Sequence, residues 1–432
     1  MIARGVRHFV LIVAVAALAA YAFIYARGLA DAPIRSDGFS YYIYLPSAFI
    51  YHDLSLDALA NDWYGGAYPD FAAIRRWPPT GRWFDAVPIG VAVLMFPFFL
   101  AADALTWWSN FPRDGFSFYY QYLAGLAGLT YFLAGLALVR TILRRHFSDG
   151  IVLATLVTLT FGTNLFHYGT YDATFSHAFS FCLIAAWLAI VDRWWRDPAP
   201  LVSCAVGGVA GLIVLVRNVN AVFLLLLPLY GVASWNVMRT RPAELWARRR
   251  MLIAAAFVGA LLLAPQLWLY RSATGAWMVN SYALLSNRFD FRSPRIFAVL
   301  FSTQKGLFFW SPALLLALAG AFVARGWTRG LVPAVALIFA AQMYLVASWS
   351  DWQLGGSFGH RAFTDGFALA APLMASAFAW TSTRPAARVF VTIAVSTAVV
   401  LSIAQMAQYW LGILPIIDTS WTQYRDLFLR FR

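Results

Sequence analysis

The sequence predicts an all-α, polytopic transmembrane helical bundle, and three observations carry that prediction. Of 432 residues 61% are hydrophobic and only 12% are charged, too few charges to cover a water-soluble fold of this size. Apolar runs of spanning length recur from Val10 to Met406, so residues 1–432 read as a single membrane domain. Arginines cluster in the short segments between those runs, as on the cytoplasmic side of membrane proteins. The formal charge of +13 therefore needs no nucleic-acid partner.

The N-terminal Met-Ile-Ala-Arg-Gly-Val-Arg-His precedes an apolar run from Phe9 to Ala26. It is longer than a signal-peptide core and predicts an uncleaved first helix with its basic end in the cytoplasm. Residues 27–116 then form a first outer loop with juxtamembrane helices. Within it, 87–107 is long enough to span, but a full crossing would put Arg140, Arg144 and Arg145 outside. Pro88, Pro97 and the Trp107–Trp108 pair instead predict a juxtamembrane or shallowly re-entrant helix.

Further spans are expected near 117–139, 150–167, 176–191, 200–216, 219–236, 251–269, 307–324, 331–348, 366–380 and 388–408. With the first helix this gives about eleven. Arg140–Arg145, Arg193–Arg196, Arg239–Arg250, Arg325–Arg329 and Arg384–Arg388 mark the cytoplasmic side. The segments near 168–175, 217, 270–306 and 349–365 then face outward, as does the C-terminal tail, and 270–306 is a second sizeable outer loop. The expected location is a plasma or inner membrane, crossed many times. Gly207 and Gly211 form a small-xxx-small pair that predicts close helix packing. Cys182 and Cys204 lie in apolar stretches, where a thiol behaves as a small hydrophobe.

No Gly-rich phosphate loop, Cys/His zinc spacing or dinucleotide fingerprint stands in a suitable context. ATP-driven transport and a Rossmann-type sugar-nucleotide site lose support. Of seven aspartates in residues 27–86 of the first outer loop, Asp37 stands out. It lies in Arg-Ser-Asp-Gly-Phe-Ser-Tyr-Tyr-Ile-Tyr-Leu-Pro, where aromatics hold it against the membrane border and a carboxylate can serve as a shielded base. Its ordinary alternative is a helix N-cap. Arg217 lies between two apolar runs, where a charge costs a few kcal/mol unless paired or hydrated. Snorkelling to the interface is the alternative there.

A first helix, an outer loop opening with Asp and nearby Tyr, an amphipathic stretch and a Pro-containing juxtamembrane helix resemble the GT-C superfamily of membrane glycosyltransferases. Protein O-mannosyltransferases and lipid A aminoarabinose transferases belong to it. The similarity covers the topology of about the first 310 residues. The stretch Trp349-Ser-Asp-Trp-Gln-Leu-Gly-Gly-Ser-Phe-Gly-His-Arg361 also resembles a Trp-Gly-Gly-x-Ser-Phe-Gly-x-Arg pattern of bacterial membrane proteins of this kind, with Leu354 where Trp is usual. The acidic-Lys-Pro run of the aminoarabinose enzymes is replaced by Asp85-Ala-Val-Pro88.

The resemblance implies an inverting glycosyltransferase using a polyprenyl-phosphate-linked sugar at the non-cytoplasmic face, with an envelope glycan, lipid or protein as acceptor. Asp37 would be the base, with Asp85, Asp172 and His177 in support. Arg217, Lys305, His360 and Arg361 are the cations for the lipid phosphate. Lys305, the chain's one lysine, and Arg361 stand beside glycines that let a phosphate approach; interface anchoring is their alternative. Asp172 and His177, with His167, match no standard ligand set, so a divalent metal is compatible with them but no cofactor is demanded; a hydrogen-bonded polar cap is the alternative. Two rivals remain. A transporter or flippase of a lipid-linked or small polar substrate would concentrate polar groups at the midplane, whereas here they gather at outward turns. A non-catalytic assembly partner would lose no product chemistry when Asp37 is replaced.

Overall fold

A computed structural model describes residues 2–285 and 287–431. Helix α1 (Ile2–Ala26) leads into the first loop, which holds α2 (Asp37–Tyr42), α3 (Tyr44–Phe49), α4 (Asp57–Tyr64) and a short hairpin of β1 (Ile74–Arg76) and β2 (Trp83–Asp85). The hairpin is antiparallel, with Arg75 opposite Phe84. Helices α5 (Gly90–Trp107), α6 (Phe118–Leu143), α7 (Asp149–Phe161), α8 (Leu165–Thr170), α9 (Ser176–Arg196) and α10 (Pro200–Val216) follow. Next come α11 (Leu226–Leu229), α12 (Trp235–Ala247), α13 (Arg249–Thr274), α14 (Ile296–Phe301), α15 (Leu307–Trp310) and α16 (Leu315–Val323). The chain closes with α17 (Trp327–Ser348), α18 (Phe367–Ser382), α19 (Pro385–Trp410) and α20 (Trp421–Leu427).

Among the described residues eight helical stretches are long and apolar enough to cross a membrane, and four shorter apolar helices accompany them. The protein is thus an all-α bundle of multi-pass character. Three expected spans are not continuous α-helices: 150–167 breaks between α7, which ends at Phe161, and α8, which starts at Leu165. Residues 219–236 form a 3-10 helix, Asn218–Leu225, and then only one α-turn, α11, around Pro228. Residues 307–324 are interrupted at Pro312, which has no N–H to continue the ladder from α15. Total apolar length sees none of these breaks.

Small residues set the closest approaches. Gly207 packs under the Ala255 carbonyl and Gly211 against Gly259, so α10 and α13 meet backbone to backbone, as the small-xxx-small spacing predicts. A Cβ on Gly128 of α6 would stand 1.6 Å from the Ala173 carbonyl oxygen. Only glycine there lets the 171–175 turn seat against α6.

Side-chain ties sort the connecting segments into two ends. At one end Arg140 donates to the Val6 carbonyl at 2.8 Å, Tyr230 donates to Asp192 at 2.6 Å, and Arg145 pairs with Asp192 at 3.4 Å. Arg241 and Trp327 join the same knot through Tyr230. At the other end the first loop meets the segments after α8 and α17 and the ends of α10 and α13; Thr80, for example, donates to the Ala273 carbonyl in the last turn of α13 at 2.6 Å. Helix α5 runs antiparallel to α6. Its Leu94 carbonyl accepts from Tyr131, and its Asp103 accepts from Tyr120. Gly90, at its start, abuts Leu215 and Val216 at the end of α10. Helix α5 thus packs along α6 from Tyr120 to at least Tyr131, and Gly90–Trp107 is itself one of the eight stretches long and apolar enough to cross a membrane, where the sequence predicts a juxtamembrane helix.

Candidate functional site

The end where the loops gather carries three charged clusters. The first is Asp37 with Arg361: a guanidinium nitrogen lies 2.7 Å from Asp37 Oδ2, with the side chains 37% and 13% exposed, so the carboxylate is reachable. Arg361 also lies over the Phe175 ring, 5.6 Å from its centroid. Helix α2 begins at Asp37 itself, with Ser36 at the N-cap and no side-chain cap bond. The capping alternative for Asp37 is therefore not what is seen. Ser36 sits at φ 48°, a left-handed conformation costly for a residue with a Cβ, just before the carboxylate it presents.

The second cluster centres on Asp365, which is 0% exposed. Its Oδ2 accepts from Arg217 at 2.8 Å and Asn220 at 2.9 Å, and its Oδ1 lies 2.7 Å from His177 Nδ1. Arg217 thus satisfies its charge by pairing inside the bundle rather than by snorkelling. Tyr41, one turn along α2 from Asp37, and Tyr282 stand within electrostatic range of Asp37, Arg217 and Arg361. They join the two clusters.

The third is a chain of four residues. Arg35 donates to Asp172 at 2.9 Å, and His167 Nε2 lies 2.9 Å from the other carboxylate oxygen. Trp410 donates its indole N–H to His167 Nδ1 at 2.9 Å. An indole can only donate, so Nδ1 accepts and the proton sits on Nε2, facing Asp172. Burial would push the Asp172 carboxyl up, but the hydrogen bond from His167 and the nearby Arg35 charge outweigh it and hold it below the usual range. Both carboxylate oxygens are taken, so this group ties α8 and the first loop to α19.

The sequence-predicted residues therefore divide. Asp37 and Arg361 meet directly, while Arg217 pairs with Asp365 on the turn that Arg361 begins. His177 is not grouped with Asp172: it lies in the first turn of α9, turned toward Asp365. Asp85, on β2, lies against Tyr44 and Tyr270, away from Asp37. Lys305 is 2% exposed and donates to the carbonyls of Ser357 and Ile416, linking the glycine-rich 351–360 loop to the tail. His360, 1% exposed, has no hydrogen-bond partner on either ring nitrogen. Burial, with the charges of Lys305 and Arg361, pushes its pKa down to about 3, so it is neutral. Among the described residues no three His, Cys, Asp or Glu side chains group closely enough to hold a metal ion.

Lys305 gives a pH signature. Burial, then the Arg361 charge, lowers its pKa from 10.5 to about 7. Between those two values the unfolded chain holds a proton that the folded chain has released, so stability from this group rises with pH across that window and falls as pH drops toward 7. Thermal unfolding at pH 9 and pH 7 should show a smaller difference in Lys305→Met than in the parent; an equal difference would mean that Lys305 keeps its proton throughout.

Sequence reasoning missed Arg35, Asp365, Asn220, Tyr41 and Tyr282. For Asp365 a signal was present: a carboxylate between Phe363 and Phe367, four residues after Arg361, meets the same argument that singled out Arg217. The tyrosines had no signal among so many aromatics. Comparison of the chain with protein-family models, with curated proteins and with solved structures finds no match.

Proposed function

We propose that this protein is a membrane glycosyltransferase that moves a sugar from a polyprenyl-phosphate donor to an envelope acceptor at the non-cytoplasmic face. The observation that carries the reading is the half-exposed Asp37 carboxylate held at 2.7 Å by Arg361, with Arg217 bound to Asp365 on the turn that Arg361 begins. A base and cations for a phosphate are the parts such a transfer needs. In the proposed step Asp37 takes the proton of the acceptor hydroxyl, whose oxygen attacks the anomeric carbon. The bond from that carbon to the phosphate oxygen breaks, and polyprenyl phosphate leaves with the electron pair. Arg361 and Arg217 stabilise the departing charge. An arriving phosphate competes with Asp37 for Arg361, so donor binding itself would free the base. Lys305 and His360 then shape the loop that presents Arg361.

The orientation follows from the arginine-rich 239–250 segment, which belongs on the cytoplasmic side. Cysteines introduced at Leu284 and Leu245 should react with membrane-impermeant maleimide from opposite faces; labelling from one face would discard the orientation. The function is tested by purifying the protein with native lipid, identifying bound species by mass spectrometry and adding radiolabelled polyprenyl-phosphate sugar. A bound donor and a glycosylated product support the reading. Donor that is moved between leaflets but never cleaved supports the transporter or flippase instead.

A further inference from the structure

Asp85 has a cavity of its own, of about 250 Å³, lined by Tyr44, Trp83, Asp85, Gln266 and Tyr270 among others; Asp37, Arg217 and Arg361 are not in its walls. Asp85 is 4% exposed, and while its Oδ1 accepts the Val87 N–H at 3.1 Å, its Oδ2 has no partner. The indole N–H of Trp83, 7% exposed, has none either. Two buried polar atoms left unpaired at one cavity are costly unless something fills it. The cation in the lining, Arg82, is exposed and gives a hydrogen bond to the Ser272 carbonyl. Burial pushes the Asp85 carboxyl well above the usual range and so favours its uncharged form, an acid that both donates and accepts.

An apolar channel of about 380 Å³ adjoins this pocket and shares Tyr44, Leu54, Trp268 and Leu269 with it. Its walls come from α3, α5 and α13, and Val93 and Trp268 on it are exposed. Helix α13 also exposes Phe257 and Leu261, the outer surface that would meet lipid. We propose that pocket and channel form one site for an amphiphile, a lipid whose neutral, hydroxyl-bearing head hydrogen-bonds Asp85 and Trp83 and whose acyl chain lies between α3, α5 and α13. The rings of Tyr44, Trp83 and Tyr270 offer faces for a sugar ring. A phosphate head would set its charge beside a buried carboxyl. This site stands whether or not Asp37 is a base.

Native mass spectrometry of the full-length protein tests it, with glucosyl-diacylglycerol, phosphatidylglycerol and phosphatidylethanolamine of the same acyl chains as probes. One glucosyl-diacylglycerol should be retained about tenfold or more over either phospholipid. Asp85→Asn, which keeps a neutral hydrogen-bonding head, should hold it within about threefold, whereas Asp85→Leu should lose about tenfold. Val93→Trp, at a position 43% exposed and so tolerant in the fold, should lose about as much by blocking the channel. Preference for phosphatidylglycerol overturns the proposal. So does preference for phosphatidylethanolamine with loss in Asp85→Asn, the mark of an ammonium on an ionised Asp85. Unchanged retention in both Asp85→Leu and Val93→Trp overturns it as well.

Discussion

Asp37→Asn should lower sugar transfer by about a hundred- to ten-thousand-fold, the range that general-base catalysis supplies, while the protein stays folded and inserted. Asn has the shape of Asp and can still accept a hydrogen bond from Arg361, but it cannot take a proton from the acceptor at neutral pH. The Asp37 side chain is 37% exposed, so water can replace part of the lost charge beside the 13%-exposed Arg361, and the stability cost should stay below that of breaking a fully buried pair. Donor affinity should hold or rise, since Arg361 no longer has a carboxylate competing with the phosphate. Turnover of a polyprenyl-phosphate sugar measured beside thermal unfolding separates these effects. Asp172 has both oxygens engaged by Arg35 and His167 and Asp85 lies in a separate cavity, so the other carboxylate to replace is Asp351, within electrostatic range of Asp37 and Arg361; the decisive result would be near-normal turnover with both Asp37 and Asp351 replaced by Asn. That result would turn the reading toward a transporter.

Where the sequence could be read, the cause was local or was a membrane cost. Helix α10 ends where expected because Pro200 suits its first turn and Arg217 interrupts the apolar run. The charge distribution offered a topology because positive residues are counted loop by loop, without knowledge of packing. What hydropathy could not read was hydrogen-bond continuity. The runs at 219–236 and 307–324 are apolar enough, but Asn220 turns inward to Asp365 and Pro312 breaks the ladder. The hairpin was missed because three-residue strands carry no alternation to detect, although Pro78, Pro79 and Gly81 between them mark a turn. The pairing of Asp37 with Arg361 spans more than three hundred residues of sequence. No local pattern encodes such a contact; the sequence joined the two residues only through the roles that the resemblance implies for one site.

The Asp365 cluster offers the largest expected stability effect. A carboxylate with no exposure, held by Arg217, His177 and Asn220 at 2.7 to 2.9 Å, keeps its charge inside the bundle only because those donors replace water. Asp365→Asn leaves Arg217 without its counter-charge and turns an amide N–H₂ toward donors, so it should cost about 3–5 kcal/mol, the range for breaking a buried ion pair from one side. The loss should appear as a lower denaturant midpoint in detergent and as poor membrane yield. Asp365→Asn with Arg217→Gln removes both charges and should recover part of that cost, with a coupling of about 0.5–3 kcal/mol. Full additivity of the two single variants would show that the pair is not the source of the stability. If the double variant regains stability but not transfer, Arg217 carries a role in the reaction beyond holding Asp365, as a cation for the donor phosphate must.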